Sequence, residues 1–329
     1  VIGNNQTPQT LLDSACNGDR RSLARLLSYA ESDLQHVAAV SAALTSTGHQ
    51  RPIIGITGAP GAGKSSLTDR MIQSFRADGQ TVAALCIDPS SPFTGGAILG
   101  DRVRMQQHVE DAGVFIRSMA TRGHLGGLAV AAPLALRIFD AIGFDHLIVE
   151  TVGVGQVEVD IAGAADTTIV VVNPGWGDGV QASKAGLLEI ADVFVINKAD
   201  RPGVEATRKD LQLMLELSFA DRPSEDWRPP IIATSATEQT GVDELMKSLG
   251  QHQQWLDQSG QGAQRRQMRT DAELSSALQT SIEQLVAARS ARGEFDQIRD
   301  DVRNNRLDVW SAAQRVVAQA LSNEESPSE

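Results

Sequence analysis

Residues 53–66 read IIGITGAPGAGKSS, and this stretch decides the fold. IIGIT at 53–57 has the apolar, β-branched composition of a buried strand. It runs directly into Gly58-Ala59-Pro60-Gly61-Ala62-Gly63-Lys64-Ser65, a complete G-x-x-x-x-G-K-S, and a helical pattern begins near Ser66. Strand, glycine-rich loop and helix in that order make an anion cradle. The glycines permit dihedrals closed to other residues and let backbone N–H groups face inward, while the helix N-terminus adds partial positive charge. Lys64 is expected to bring a point charge to the β- and γ-phosphates of a nucleotide, and Ser65 a hydroxyl ligand for Mg2+.

Six further short apolar runs follow: TVAALCID (81–88), VFIRS (114–118), HLIVET (146–151), TIVVVN (168–173), VFVINK (193–198) and IIATS (231–235). With helical stretches between them, these seven strand candidates imply an α/β fold, doubly wound around a mostly parallel P-loop NTPase sheet. The expected limits of this domain are 51–256. Ahead of it, residues 1–50 read as a helical segment, with Thr7-Pro8 as cap and first position and Asn17-Gly18 as a stop. Leu23, Leu26, Leu27 and Ala30 there repeat on one face. Behind it, DQSGQGAQRRQ at 257–267 reads as a linker. The remainder, 268–329, reads as a helical tail with Leu274, Leu278, Ile282 and Leu285 on one face, a candidate dimerisation arm.

A second motif selects the base. At the end of VFVIN stands Asn197-Lys198-Ala199-Asp200, an N-K-x-D element. A carboxylate at Asp200 can accept from both N1–H and the N2 amino group of guanine, donors that adenine lacks. A site built on such bonds discriminates by roughly 10⁴ to 10⁵ fold, so GTP is expected over ATP. Thr234-Ser235-Ala236, closing the next strand, resembles the last guanine-contacting loop of GTP-binding proteins, which makes Ser235, Ala236 and Thr237 candidate contacts beside Asn197, Lys198 and Asp200.

Composition narrows the rest. Across 329 residues the net charge is −12, which works against nucleic-acid binding. Cys16 and Cys86 lack the spacing of a zinc site or disulfide framework, and no apolar run of about 18 residues appears, so a cytoplasmic protein without a membrane span is expected.

Between the two motifs lie DPSSPFTGGAILGDRVRM (88–105), RSMATRGHLGGLA (117–129), ETVGVGQ (150–156) and NPGWGDGVQASKAG (173–186). At these residues the chain resembles the MeaB/ArgK type of GTPase, the group that includes the methylmalonic aciduria type A protein and that escorts adenosylcobalamin-dependent methylmalonyl-CoA mutase. The resemblance runs from about Ile53 through Ala236 and, more loosely, includes the helical ends. It implies a carboxylate near Mg2+ or the attacking water at Asp88. Asp101, in the segment corresponding to switch I, becomes a candidate metal ligand or water-positioning group. Glu150 replaces the aspartate of D-x-x-G, one methylene longer, and so reaches Mg2+ through water. Gly153 would report the γ-phosphate through its N–H, and Lys184, in a third switch, would neutralise transition-state charge. Arg117, Arg122 and His124 become candidates for transmitting nucleotide state or touching a partner.

No glutamine stands beside Gly153 and no arginine finger is legible, which predicts slow intrinsic hydrolysis of GTP to GDP, raised by a partner. The resemblance implies a GTP-gated chaperone for the mutase, with cobalamin met only through that partner, while the apolar stripe of the tail is what suggests a homodimer. Two alternatives stay open: a metal-insertion GTPase for another metalloenzyme, which would ordinarily show clustered Cys or His, and a kinase of a transport-related substrate.

Overall fold

The computed structural model describes residues 6–88, 108, 110–120, 131–151, 163–176, 181–220, 223 and 225–322, apart from residue 46. All seven expected strands form: β1 (Ile53–Gly58), β2 (Val82–Asp88), β3 (Val114–Ala120), β4 (His146–Thr151), β5 (Thr167–Val172), β6 (Val193–Asn197) and β7 (Ile231–Thr234). They pair in parallel in the order β3-β2-β4-β1-β5-β6-β7. β1 is central, with β4 and β5 beside it, so the strand order reverses beyond Gly58. In open sheets of this kind, ligands bind at the carboxyl ends of strands at that reversal.

Alternation along each strand builds the layers. Ala83, Leu85 and Ile87 of β2 and Leu147 and Val149 of β4 join the core under α1 (Pro8–Cys16), α2 (Arg20–Ala30), α3 (Leu34–Ala43) and α5 (Ala132–Ile142). Their neighbours Val82, Ala84, Cys86 and Ile148 face the other side, against α4 (Lys64–Ala77) and α8 (Val242–Ser259). Val170, Val172, Phe194 and Ile196 form a third core with Leu211 of α7 (Val204–Ser218) and Leu187 of α6 (Gln181–Ile190). A parallel sheet needs both faces covered, hence strands apolar on both sides.

The N-terminal helices start where the sequence predicts. Thr7 accepts from Thr10 N–H with Pro8 as the first helical residue, and Asp19 and Asp33 cap α2 and α3. This segment packs on α5, and Arg117 of β3 pairs with Glu31 at 2.6 Å. The guanidinium that the sequence offered as a nucleotide-state or partner contact thus fastens the sheet edge to the end of α2.

The expected linker is not a loop. Residues 257–259 finish α8, Gly260 takes a left-handed φ of 74°, and 261–267 open α9 (Gln261–Ser290). Glutamine, alanine and arginine are good helix formers, so a polar composition reports exposure here rather than irregular backbone. Arg265 anchors the turn, donating from both terminal nitrogens to Asp192 at 2.8 and 2.9 Å, where His252 lies 3.3 Å from the same carboxylate. Arg269 adds 3.1 Å to the Ala164 carbonyl.

The chain divides within α9 into two compact units, 1–269 and 270–329. The second contains the rest of α9, α10 (Asp296–Arg303) and α11 (Val309–Ser322) around buried Phe295. Arg289 ties its turns together through Glu294 at 3.8 Å and the Gln319 carbonyl at 3.1 Å. Leu274, Leu278 and Ile282 of α9 stand exposed in this unit.

Candidate nucleotide site

Two glycines fix the loop between β1 and α4. Gly58 has φ 134°, and a side chain there would overlap the Val171 carbonyl of neighbouring β5. Gly63 has φ 90° and caps α4, with Asn197 Nδ2 occupying the place of any side-chain carbon. The helix therefore begins at Lys64 with its first N–H groups turned toward the loop. Lys64 is 6% exposed, its Nζ donating to the carbonyls of Gly58 at 2.6 Å and Ala59 at 3.1 Å. Its ammonium is thus held inside the loop, where a phosphate can exchange for carbonyl oxygens.

Beside it, the carboxylate near the end of β4 is held by two hydroxyls. Ser65 Oγ donates to Glu150 Oε1 at 2.6 Å, and Thr68 Oγ1 to Glu150 Oε2 at 2.7 Å. Thr151 and Thr57, the last polar pair of β4 and β1, meet at 3.2 Å. Asp88 closes β2, buried at 1% exposure, one step beyond the Ile87–Thr151 pairing and so at the same edge of the sheet. A serine hydroxyl and carboxylate oxygens are hard donors of the kind that suit Mg2+, which takes one or two carboxylates and completes its shell with water and phosphate oxygens. Among the described residues no three His, Cys, Asp or Glu side chains gather into a metal-holding group. Asp101 and Gly153 lie outside the described residues; Lys184 belongs to α6, with its side chain outside the description.

The base-side loops lock onto the phosphate loop. Asn197 Nδ2 donates to the carbonyls of Ala62 at 2.9 Å and Gly63 at 3.3 Å, while its Oδ1 accepts from Thr234 at 3.2 Å. Lys198, in the left-handed region at φ 60°, reaches the Gly61 carbonyl with its ammonium. Ala199 N–H bonds the Thr234 carbonyl, which brings the two loops side by side. Ser235 Oγ then donates to Asp200 Oδ1 at 2.8 Å, aligning the carboxylate assigned to guanine, and accepts from Glu238 N–H at 3.2 Å. Gly241, at φ 77°, permits the tight return after Ser235 because a side chain would overlap the Ala233 carbonyl.

A family profile described as "Methylmalonyl Co-A mutase-associated GTPase MeaB" matches residues 23–291. The chain belongs to the MeaB family of GTPases. A protein of Pyrococcus abyssi named as a GTPase is 46% identical over 311 residues, covering 94% of this chain and 96% of its own length. The mouse methylmalonic aciduria type A homolog, mitochondrial, is 34% identical over 262 residues, 78% of this chain and 61% of the mouse protein. Among solved structures, an LAO/AO transport system kinase superposes with a TM-score of 0.68 at 26% identity, covering 97% of this chain and 99% of that one. This MeaB-family chain binds nucleotide and is a GTP hydrolase.

Two residues of this MeaB-family site escape sequence reading. Thr68 is fully buried, bonded to Glu150 and to the Lys64 carbonyl at 3.0 Å. Arg70 Nε donates to the Ala236 carbonyl at 2.9 Å. Both sit inside a helix where threonine and arginine are ordinary; the only available signal was their position one turn past a G-K-S.

Proposed function

We propose that this MeaB-family chain is a Mg2+-dependent GTPase that serves as a chaperone, gating cofactor loading and protection of an adenosylcobalamin-dependent methylmalonyl-CoA mutase. The observation that carries the reading is the match of a mutase-associated GTPase family across 23–291, over the segment in which the base and phosphate loops bond to each other. The likeness to the mouse methylmalonic aciduria type A homolog points the same way.

In this reading the phosphates lie in the loop from Gly58 to Ser66, neutralised by Lys64, and guanine is read by Asn197, Lys198 and Asp200 with Ser235, Ala236 and Thr237. Ser65 would ligate Mg2+, Glu150 would reach it through water, and Asp88 and Asp101 would ligate the metal or position the attacking water. The metal, when bound, would offset charge on the phosphate oxygens. Gly153 would report the γ-phosphate through its N–H, and Lys184, on α6, would neutralise transition-state charge once the mutase engages this segment. GTP is cleaved at the γ-phosphorus by water, giving GDP and inorganic phosphate. Cobalamin is met only through the mutase. The exposed Leu274, Leu278 and Ile282 stripe joins two copies into a homodimer.

The test follows mutase activity over many turnovers with and without this chain and GTP. Slower inactivation that requires GTP and is lost in Lys64→Ala supports the chaperone. Mutase decay unaffected by the chain contradicts it. Phosphate recovered on a protein or amino acid instead of as inorganic phosphate would favour the kinase reading.

A further inference from the structure

Four hydrogen bonds run in series from the base-side loop to the segment that precedes β3. Arg70 Nε donates to the Ala236 carbonyl at 2.9 Å, and its Nη1 to Gln73 Oε1 at 2.8 Å. Gln73 Nε2 donates to Asp69 Oδ2 at 3.2 Å, and Asp69 Oδ1 meets His108 Nε2 at 2.8 Å. The two ends differ in character. Ala236 belongs to a surface loop, whereas the Asp69 and His108 side chains are only 12% and 7% exposed. A guanidinium is a planar fork whose donors keep fixed spacing, so gripping Gln73 with one nitrogen sets where Nε points. Gln73 is itself oriented by a buried carboxylate.

What the fork holds is next to the base-reading group. Ser235, the neighbour of Ala236, donates to Asp200 Oδ1. A shift of the Ala236 carbonyl therefore carries Ser235 with it and turns the Asp200 carboxylate.

We propose that Arg70 is a positioning residue for guanine selectivity, its fork set through Gln73 and Asp69 by His108, so that α4 joins the base-side loop to the chain ahead of β3. The proposal rests on reading Asp200 as the acceptor for guanine. Arg70 touches no nucleotide atom in this account. It keeps the loop in the one placement that lets Asp200 accept both guanine donors.

The experiment compares GDP with inosine diphosphate, which lacks the N2 amino group, by equilibrium titration in the full chain. A misplaced Asp200 penalises GDP more than inosine diphosphate, whereas a loss of general integrity weakens both alike. Arg70→Ala is expected to narrow the affinity ratio about tenfold, the scale of one charge-assisted hydrogen bond. Arg70→Lys, which makes one bond where the fork makes two, is expected to fall between, and it keeps the test open if the alanine variant does not fold. His108→Ala is expected to narrow the ratio about threefold, with no further effect in the Arg70→Ala background, as linked residues require. Equal weakening of both nucleotides in Arg70→Ala and Arg70→Lys overturns the proposal, as does an additive His108 effect. Asp200→Ala separates the two levels: if it leaves the ratio unchanged, the guanine reading fails and the proposal with it. If it abolishes the ratio while Arg70 variants preserve it, only the proposal falls.

Discussion

Asn197 Nδ2 donates to the Ala62 carbonyl at 2.9 Å, across 135 residues of sequence, and lies where a side chain on Gly63 would have to sit. The N-K-x-D element and the phosphate loop are thus bonded directly to each other. Glycine at 63 serves two needs at once, a left-handed φ and room for the amide.

Asn197→Ala removes two donations to the loop and leaves Thr234 Oγ1 without its acceptor in a buried setting. Unmaking buried polar contacts costs about 1–3 kcal/mol. Urea denaturation is expected to show a loss of that size, and GDP titration a weakening of at least tenfold. Unchanged affinity would mean the two loops do not act together.

Thr68 holds one oxygen of Glu150 while Ser65 holds the other. Thr68→Val keeps the shape and removes the hydroxyl. GTP turnover should fall about tenfold, and the Mg2+ concentration needed for half-maximal GDP retention should rise, since Glu150, then held by Ser65 alone, would lose its fixed orientation toward the proposed metal position. Thr68→Ser should restore both. An equal Mg2+ requirement in wild type and valine variant would limit Thr68 to packing.

Asp192 is one contributor to acid stability. Burial pushes its carboxyl up, but the neighbouring His252 imidazole and the hydrogen bonds from Arg265 outweigh that and hold it below the ordinary range. A carboxylate depressed on folding contributes stability that is fully present above the unfolded value of about 3.9 and is lost as pH falls through the lower folded value. Thermal unfolding of Asp192→Asn should accordingly lose part of the wild-type decline below about pH 4. Arg265→Ala at neutral pH should cost about 3 kcal/mol, the low end for breaking a buried pair, because Arg265 is 33% exposed against 7% for Asp192.

Leu274 and Leu278 are 60% and 55% exposed on α9, so charging them does not disturb a core. Sedimentation of the full chain should give a dimer, and Leu274→Glu with Leu278→Glu a folded monomer. A wild-type monomer would end the arm reading.

The strands were legible to within about two residues because each is a contiguous apolar run, and a parallel sheet buried on both faces leaves no ambiguity of side. Gly58 to Ser65 and Asn197 to Asp200 could be singled out as candidates because each motif is contiguous in sequence. Thr68 and Arg70 were not legible, since their partners lie 82 and 166 residues away and nothing in a helical pattern marks them. The stretch 257–267 misled for the opposite reason: its polar residues suit an exposed helix as well as a loop, and only Gly260 breaks the backbone. Asp101 and Gly153 fall outside the described residues, so their expected roles rest on the family resemblance.

The central claim is a guanine-specific hydrolase whose rate answers to the mutase. It is tested most directly by the release of inorganic phosphate from GTP in the presence of Mg2+, alone and with an adenosylcobalamin-dependent methylmalonyl-CoA mutase, against ATP and Lys64→Ala as controls. The account predicts slow turnover of GTP and not ATP, at least tenfold faster with the mutase and absent in Lys64→Ala. A rate that the mutase leaves unchanged, in a chain that binds GTP normally, would contradict it.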